Sequence, residues 1–334
     1  MSRLTHSDVL VVDGLQINNW DRKVLEELVA GGVTGVNATC AVWDGPAETL
    51  RAVAQWYQLV ASNDDIVTLA ETCEQVREAK QDGRIAVLLG FQNSSPFGDD
   101  FRMVEIFHRL GVRVAQLTYN IQNLVGGACY DENDSGLTAF GRIIVGEMNR
   151  VGMLIDLSHV GNRTCLDAIE ASATPVAITH SNPTWFVESP RNKPDEVINA
   201  LAARGGVIGC CLYPNVLGGD STTRAQFATM VARLVDQIGP DHVAIGSDCT
   251  RNWSEDYVGW LRNGRWRHPD HNPVEPTWPM WPDWFCGPAD FPALTEGLQE
   301  VGLDDATIIK ILGENWLRLF DEVFPGVEPT GARP

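Results

Sequence analysis

Two apolar runs, each ending in a histidine and separated by one helix-length of chain, constrain this sequence more than any other feature. The first is Gly152-Met-Leu-Ile-Asp-Leu-Ser-His159-Val and the second is Pro175-Val-Ala-Ile-Thr-His180-Ser. Short continuous apolar runs of this kind read as strands buried on both faces of a parallel sheet. Each such strand delivers its last side chain to its carboxyl end, where α/β barrels keep their chemistry. Neighbouring parallel strands lie only about 4.8 Å apart, so the two histidines can meet at one metal ion. The other reading is a pair of unrelated strand-end histidines.

The remaining chain repeats the same alternation. Asp8–Gly14 reads as strand one, Arg22–Ala30 as a helix ended by Gly31-Gly32, and Val33–Cys40 as strand two. A helix over Ala47–Ala61 and an extra unit over Ile66–Gly83 precede strand three, Ile85–Gln92. Strand four is Val112–Tyr119, and a helix from Ser135 to about Val151 leads to the two histidine strands, five and six. A helix begins at Asp195, where Pro194 and an acidic first turn suit a start. Gly206–Leu212 and Val243–Asp248 complete eight strands. Strand and helix alternate without a composition break, which predicts one (β/α)8 TIM barrel domain over residues 1–334 rather than a doubly wound sheet.

Composition narrows the partners. A formal charge of −19 over 334 residues, with no Lys/Arg cluster, argues against nucleic acid and anionic membranes. Small molecules and further copies of the same chain, as a homo-oligomer, are the expected partners. No stretch is long and apolar enough to span a bilayer, and the first residues lack an apolar signal core, so a cytoplasmic location is expected. Eight cysteines without C-x-x-C spacing, several inside apolar runs, are expected as reduced, buried thiols.

Four longer stretches sharpen this picture. They are Gly141-Arg-Ile-Ile-Val-Gly-Glu-Met-Asn-Arg-Val-Gly-Met-Leu-Ile-Asp-Leu-Ser-His-Val, Pro190-Arg-Asn, Ile245-Gly-Ser-Asp, and Leu312-Gly-Glu-Asn-Trp-Leu-Arg-Leu-Phe. In these the chain resembles the membrane (renal) dipeptidase family, the metal-dependent M19 peptidases of the amidohydrolase superfamily, from about Val11 to Phe320. The resemblance implies a TIM barrel of the metal-dependent hydrolase type. It also implies a binuclear zinc site built from Asp-Gly-His-x-Asp on strand one, a bridging Glu after strand three, and the histidines ending strands five and six. Here the first motif reads Asp13-Gly14-Leu15-Gln16-Ile17, and Gln92 stands where the bridging glutamate would be. Leucine and isoleucine bind no zinc, and a neutral amide cannot bridge two cations with a negative charge. The family's substrate-polarising histidine after strand four becomes Tyr119. His159, His180, Arg191 and Asp248 remain.

One divalent metal, zinc by preference, is therefore expected on His159 and His180, with Gln92 and water as further ligands; two are not. The resemblance makes Asp248 the general base, the alternative being a carboxylate that only hydrogen-bonds a histidine. It gives Arg191 the substrate carboxylate, for which a planar fork of donors is suited; the alternative is a surface arginine paired with Glu188. Tyr119 could donate to a developing oxyanion, with Asn120 among the amides beside it, or could be a buried structural phenol.

The insertion after strand eight, at about 249–292, holds Trp253, Trp260, Trp266, Trp278, Trp281 and Trp284. Three readings are open: a lid over the barrel mouth, an aromatic box for a methylated ammonium group, or a self-packing loop or subunit interface. His268 and His271 within it are unpromising ligands among prolines. The function expected is cleavage of an amide or related C–N bond in a small carboxylated substrate. Its rivals are an inactive dipeptidase-like binding protein and a non-hydrolytic lyase on the same barrel.

Overall fold

The computed structural model describes residues 4–264 and 279–326. Among the described residues nine parallel strands alternate with helices: β1 (Val11–Gln16), β2 (Val33–Ala41), β3 (Val67–Leu69), β4 (Ile85–Phe91), β5 (Val112–Gln116), β6 (Leu154–Asp156), β7 (Ala177–Ile178), β8 (Val207–Cys210) and β9 (Val243–Ile245). Eight of them form the path β1-β2-β4-β5-β6-β7-β8-β9, and β3 pairs with β4 outside it. The predicted strands five and six are thus β6 and β7. Ile17 N donates to Cys249 O at 2.9 Å and Asp248 N to Leu15 O at 3.0 Å, joining the end of β1 to the segment after β9. This nearly closes the eight-stranded barrel that the alternation predicts.

The amino-terminal end of the barrel is stopped by the Leu312-Gly-Glu-Asn-Trp stretch. Trp316 is fully buried and its indole Nε1 donates to Ile245 O at 2.9 Å. Asn315 Nδ2 donates to Pro240 O and Val243 O at 2.7 and 2.8 Å, fixing the helix Asn315–Val323 against the start of β9. Higher in the barrel the chain after β7 crosses close to the axis, which explains two glycines on neighbouring strands. A Cβ at Gly246 would lie 1.7 Å from Thr179 O, and one at Gly209 only 2.1 Å from it. Only hydrogen there lets Thr179, and with it His180, occupy the barrel centre.

The histidine strands are shorter than predicted. β6 ends at Asp156 and β7 at Ile178, so His159 and His180 lie in the turns beyond them. The cause is Asp156, whose buried Oδ1 accepts from Ser158 N at 3.0 Å and Thr179 N at 2.9 Å, drawing off donors that a continued ladder would use. The helix expected from Ser135 begins at Ala139, after an N-cap in which Thr138 Oγ1 accepts from Gly141 N at 2.9 Å. Seven of the eight cysteines are buried or half-buried and all are free thiols; Cys286 is exposed. Among the described residues no helix is long and apolar enough to cross a membrane.

Candidate active site

Asp156 is the base on which the site is built. Besides the two backbone donors it accepts from Ser158 Oγ at 2.5 Å and from Thr179 Oγ1 at 2.8 Å. Burial raises its pKa above the usual carboxylate value, and the bonds from Ser158 and Thr179 oppose the shift. Having donated its hydroxyl proton to Asp156, Thr179 Oγ1 must accept from His180 Nδ1, 2.8 Å away. On the other ring, His159 Nδ1 lies 2.7 Å from Asn120 Oδ1, and the Asn120 amide nitrogen donates to Arg262 O at 2.9 Å. A carboxamide oxygen only accepts, so His159 also carries its proton on Nδ1. Both Nε2 atoms therefore present lone pairs, and they face each other at 3.0 Å.

Burial, followed by the positive charge of Arg191, holds both histidines well below their ordinary pKa, so both rings are neutral. Two lone pairs meeting at 3.0 Å repel unless a cation lies between them. Two nitrogens bound to one tetrahedral zinc, each at about 2.0–2.1 Å, stand about 3.3–3.4 Å apart, so a small opening of the pair accommodates one ion. The donor set fits one metal through two imidazoles. Among the described residues no three His, Cys, Asp or Glu side chains converge as a metal site.

The other half of the expected binuclear site is apolar. Ile17 packs with Val42, Trp43, Tyr119 and Leu261 in a buried cluster. Leu15 is buried in β1. Gln92 does not reach the cavity: its Nε2 donates to Thr39 Oγ1 at 3.0 Å, bonding β4 to β2, and it lies away from the residues that line the site. In this arrangement the Gln92 amide, expected as a further metal ligand, is directed at Thr39 and not at the two histidines.

A cavity of about 60 Å³ opens beside His159, lined by Tyr119, Asn120, Arg191 and Asp248. Arg191 is buried, not on the surface, and no bond to Glu188 is formed. Its Nη1 donates to Ser158 O at 2.5 Å and its Nη2 to His180 O at 3.2 Å, with no carboxylate within 4 Å among the described residues. Asp248 sits at φ 54°, a conformation uncommon for side-chain-bearing residues. No hydrogen bond from either histidine reaches its carboxyl group, whose pKa burial pushes up to about 7 against the pull of Arg191. Tyr119 stacks on His159 with ring centroids 4.0 Å apart, and burial raises its pKa. Asn120, also at positive φ, spends its amide on His159 and Arg262 and so positions them.

Several residues of the site carry no advance signal in the sequence. Arg262, Tyr213 and Tyr130 line the same cavity, and Arg262 Nη2 donates to Tyr213 Oη and Asn215 Oδ1, each at 3.0 Å. Arg262 arrives on the helix Glu255–Asn263 of the insertion, more than 70 residues from its neighbours on β6 and the β7 loop, a separation no local pattern reveals. Asp13 did leave a trace, as the first residue of a motif whose two ligands are lost. It is fully buried and accepts from Ser247 N at 2.7 Å, Gln16 Nε2 at 2.7 Å and the Ser247 hydroxyl; burial raises its pKa to about 6. Of the insertion's tryptophans, Trp253 and Trp260 flank a second cavity and Trp281 and Trp284 pack on the barrel. Trp266, Trp278, His268 and His271 lie outside the described residues.

Fold and site together define a barrel of the amidohydrolase type, with a buried polar centre beyond the carboxyl ends of its strands. Residues 14–254 match the model of the membrane dipeptidase family, peptidase family M19, and the chain belongs to that family of metal-dependent hydrolases of C–N bonds. It is 32% identical over 288 residues to the dipeptidase verJ of Clonostachys rogersoniana, covering 84% of this chain and 68% of that one. An uncharacterized dipeptidase of Schizosaccharomyces pombe is 31% identical over 209 residues, 60% of this chain and 50% of its own. The chain thus spans about half to two thirds of these relatives' length. Among solved structures, an amidohydrolase from Pseudomonas aeruginosa superposes with a TM-score of 0.92 at 36% identity, covering 96% of this chain and 98% of that one. A metallopeptidase from Rhodobacter sphaeroides, solved with a phosphinate mimic of L-Ala-D-Ala, shares the fold at a TM-score of 0.80 and 19% identity, over 94% of this chain and 99% of its own.

Proposed function

We propose that this chain is a dipeptidase-like hydrolase that cleaves an amide or related C–N bond in a small carboxylated substrate, with one divalent metal between His159 and His180. The observation that carries the reading is Arg191 beside Asp248 in one cavity. A buried guanidinium that, among the described residues, hydrogen-bonds only backbone carbonyls is costly unless an anion completes it, and a substrate carboxylate would do so. Bound there, a divalent ion would supply Lewis-acid polarisation of the carbonyl and a more acidic water. Arg191 fixes the substrate so that its scissile bond lies over His159. Asp248, with a pKa of about 7, can take a proton from water and return it to the leaving nitrogen. The Tyr119 hydroxyl supplies an uncharged donor to the developing oxyanion.

A cavity of about 60 Å³ is smaller than such a substrate, so the helix Glu255–Asn263 must swing outward to admit one. In this reading the insertion is a lid, latched by Trp43 Nε1 donating to Leu261 O at 2.8 Å and by the Asn120–Arg262 bond. The apolar cluster around Ile17 favours a second reading, a binding protein that keeps the barrel without turnover. A panel of N-acyl amino acids and dipeptides, assayed with zinc, separates them. Turnover that disappears in His180→Ala supports the hydrolase; ligand binding without turnover supports the alternative.

A further inference from the structure

A larger cavity, of about 640 Å³, lies on the far side of Ile17 from Arg191 and Asp248, and the proposed hydrolysis has no use for it. Its lining mixes five aromatic side chains with the amides of Asn18, Asn19, Gln55 and Gln58. Trp20 and Trp56 form one pair, with centroids 5.1 Å apart and planes at 58°. Trp253, Tyr257 and Trp260 form a second run in the same lining, Trp253 stacked on Tyr257 at 3.6 Å and Tyr257 tilted 32° to Trp260 at 5.2 Å. Among the described residues that line it, Asp44 is the one charged side chain. The Asp44 carboxylate accepts from Val42 N at 3.2 Å and pairs with no cation within 4 Å among the described residues. Tyr257 feels that charge: burial and then Asp44 raise its pKa.

Five aromatic rings and one carboxylate that pairs with no cation among the described residues line the same cavity, which gives the site a defined chemistry. Ring faces carry negative quadrupole charge and attract a cation, most strongly one too weakly hydrated to resist leaving water. A neutral apolar ligand would gain the rings but nothing from Asp44, and an anion would be repelled by it. The volume lies in the range of small-molecule sites, about 300–1,000 Å³. We infer that this cavity binds an organic cation of the alkylammonium class, its methyl groups against the indoles and its charge against Asp44. Tyr257 and Trp260 ride on the helix Glu255–Asn263 that the proposed hydrolysis uses as its lid, but none of the residues assigned to metal, substrate carboxylate or proton transfer lines this cavity, so a cation would bind here whether or not the chain turns a substrate over.

Choline and its uncharged isostere 3,3-dimethylbutan-1-ol test this directly, by titration of the full-length protein followed through tryptophan fluorescence. Saturable binding of choline, at least tenfold tighter than that of the alcohol, is expected. Asp44→Asn keeps an oxygen for Val42 N and should weaken choline at least fivefold while leaving the alcohol unchanged. If that variant has lost its native melting transition, Trp260→Leu, on the half-buried outer wall, replaces it with the same expected loss for choline. Absence of saturable choline binding, equal binding of both probes, or choline binding indifferent to the variant used would overturn the inference.

Discussion

At Asp248 the backbone, the burial and the missing hydrogen bonds point the same way. A carboxyl group held at φ 54°, unbonded to either histidine and facing a cavity, has no hydrogen-bond partner among the described residues to explain it. Its pKa of about 7 means that the base form accumulates as pH rises through neutrality, so kcat/KM should climb across that region and level off above it. Asp248→Asn keeps the shape and should lower kcat by roughly 100-fold or more while abolishing that ascending limb. Near-full turnover with the limb intact would make Asp248 structural. Arg191→Met should raise KM for a carboxylated substrate at least tenfold, yet leave its amidated analogue nearly unaffected, since the amide brings no charge for the guanidinium to meet. Equal losses on both substrates would show that Arg191 serves only to hold Ser158 O and His180 O. His159 and His180 stood out as the ends of apolar runs, and Arg191 and Asp248 through the family resemblance; the structure brings His159, Arg191 and Asp248 to one cavity. The Gln92 amide lies across to Thr39, a packing choice that the sequence does not encode locally.

Among the elements, the helix Glu255–Asn263 decides access. It is capped by Ser254 Oγ accepting from Tyr257 N at 3.2 Å and held to the barrel through backbone oxygens of Leu261 and Arg262. Trp43→Phe keeps the apolar contact and deletes one latch. Hydrogen–deuterium exchange over residues 255–263 should then rise, with kcat and KM changing together and the melting temperature nearly constant. Unchanged exchange there would show that the indole bond does not restrain the helix. Helix positions were the most legible elements: Arg22–Ala30 and the start at Asp195 follow from periodicity and end signals alone. Strand ends were less legible. The pattern Leu154-Ile-Asp-Leu-Ser-His reads as continuous strand, whereas Asp156 turns the chain by capturing the donors of Ser158 and Thr179. A buried acid inside an apolar run was the available clue.

For the whole molecule, the barrel is stopped at one end by Trp316 and open to chemistry at the other. Trp316→Ala should cost roughly 3–5 kcal/mol in denaturant unfolding, the usual loss for a buried aromatic whose space cannot collapse. A loss below about 1 kcal/mol would mean that the plug is dispensable. The same global view separates the two halves of the site: a polar network lies beyond β6 and β7, and the apolar cluster of Ile17, Val42 and Trp43 lies beyond β1 and β2. An apolar cluster offers no second metal a ligand. The most direct test is the metal content of purified protein, stripped with chelator, reloaded with zinc and measured by elemental analysis. The account predicts at most one tightly held ion per chain, lost in His180→Ala; two ions per chain, or one retained when both His159 and His180 are replaced by alanine, would contradict it.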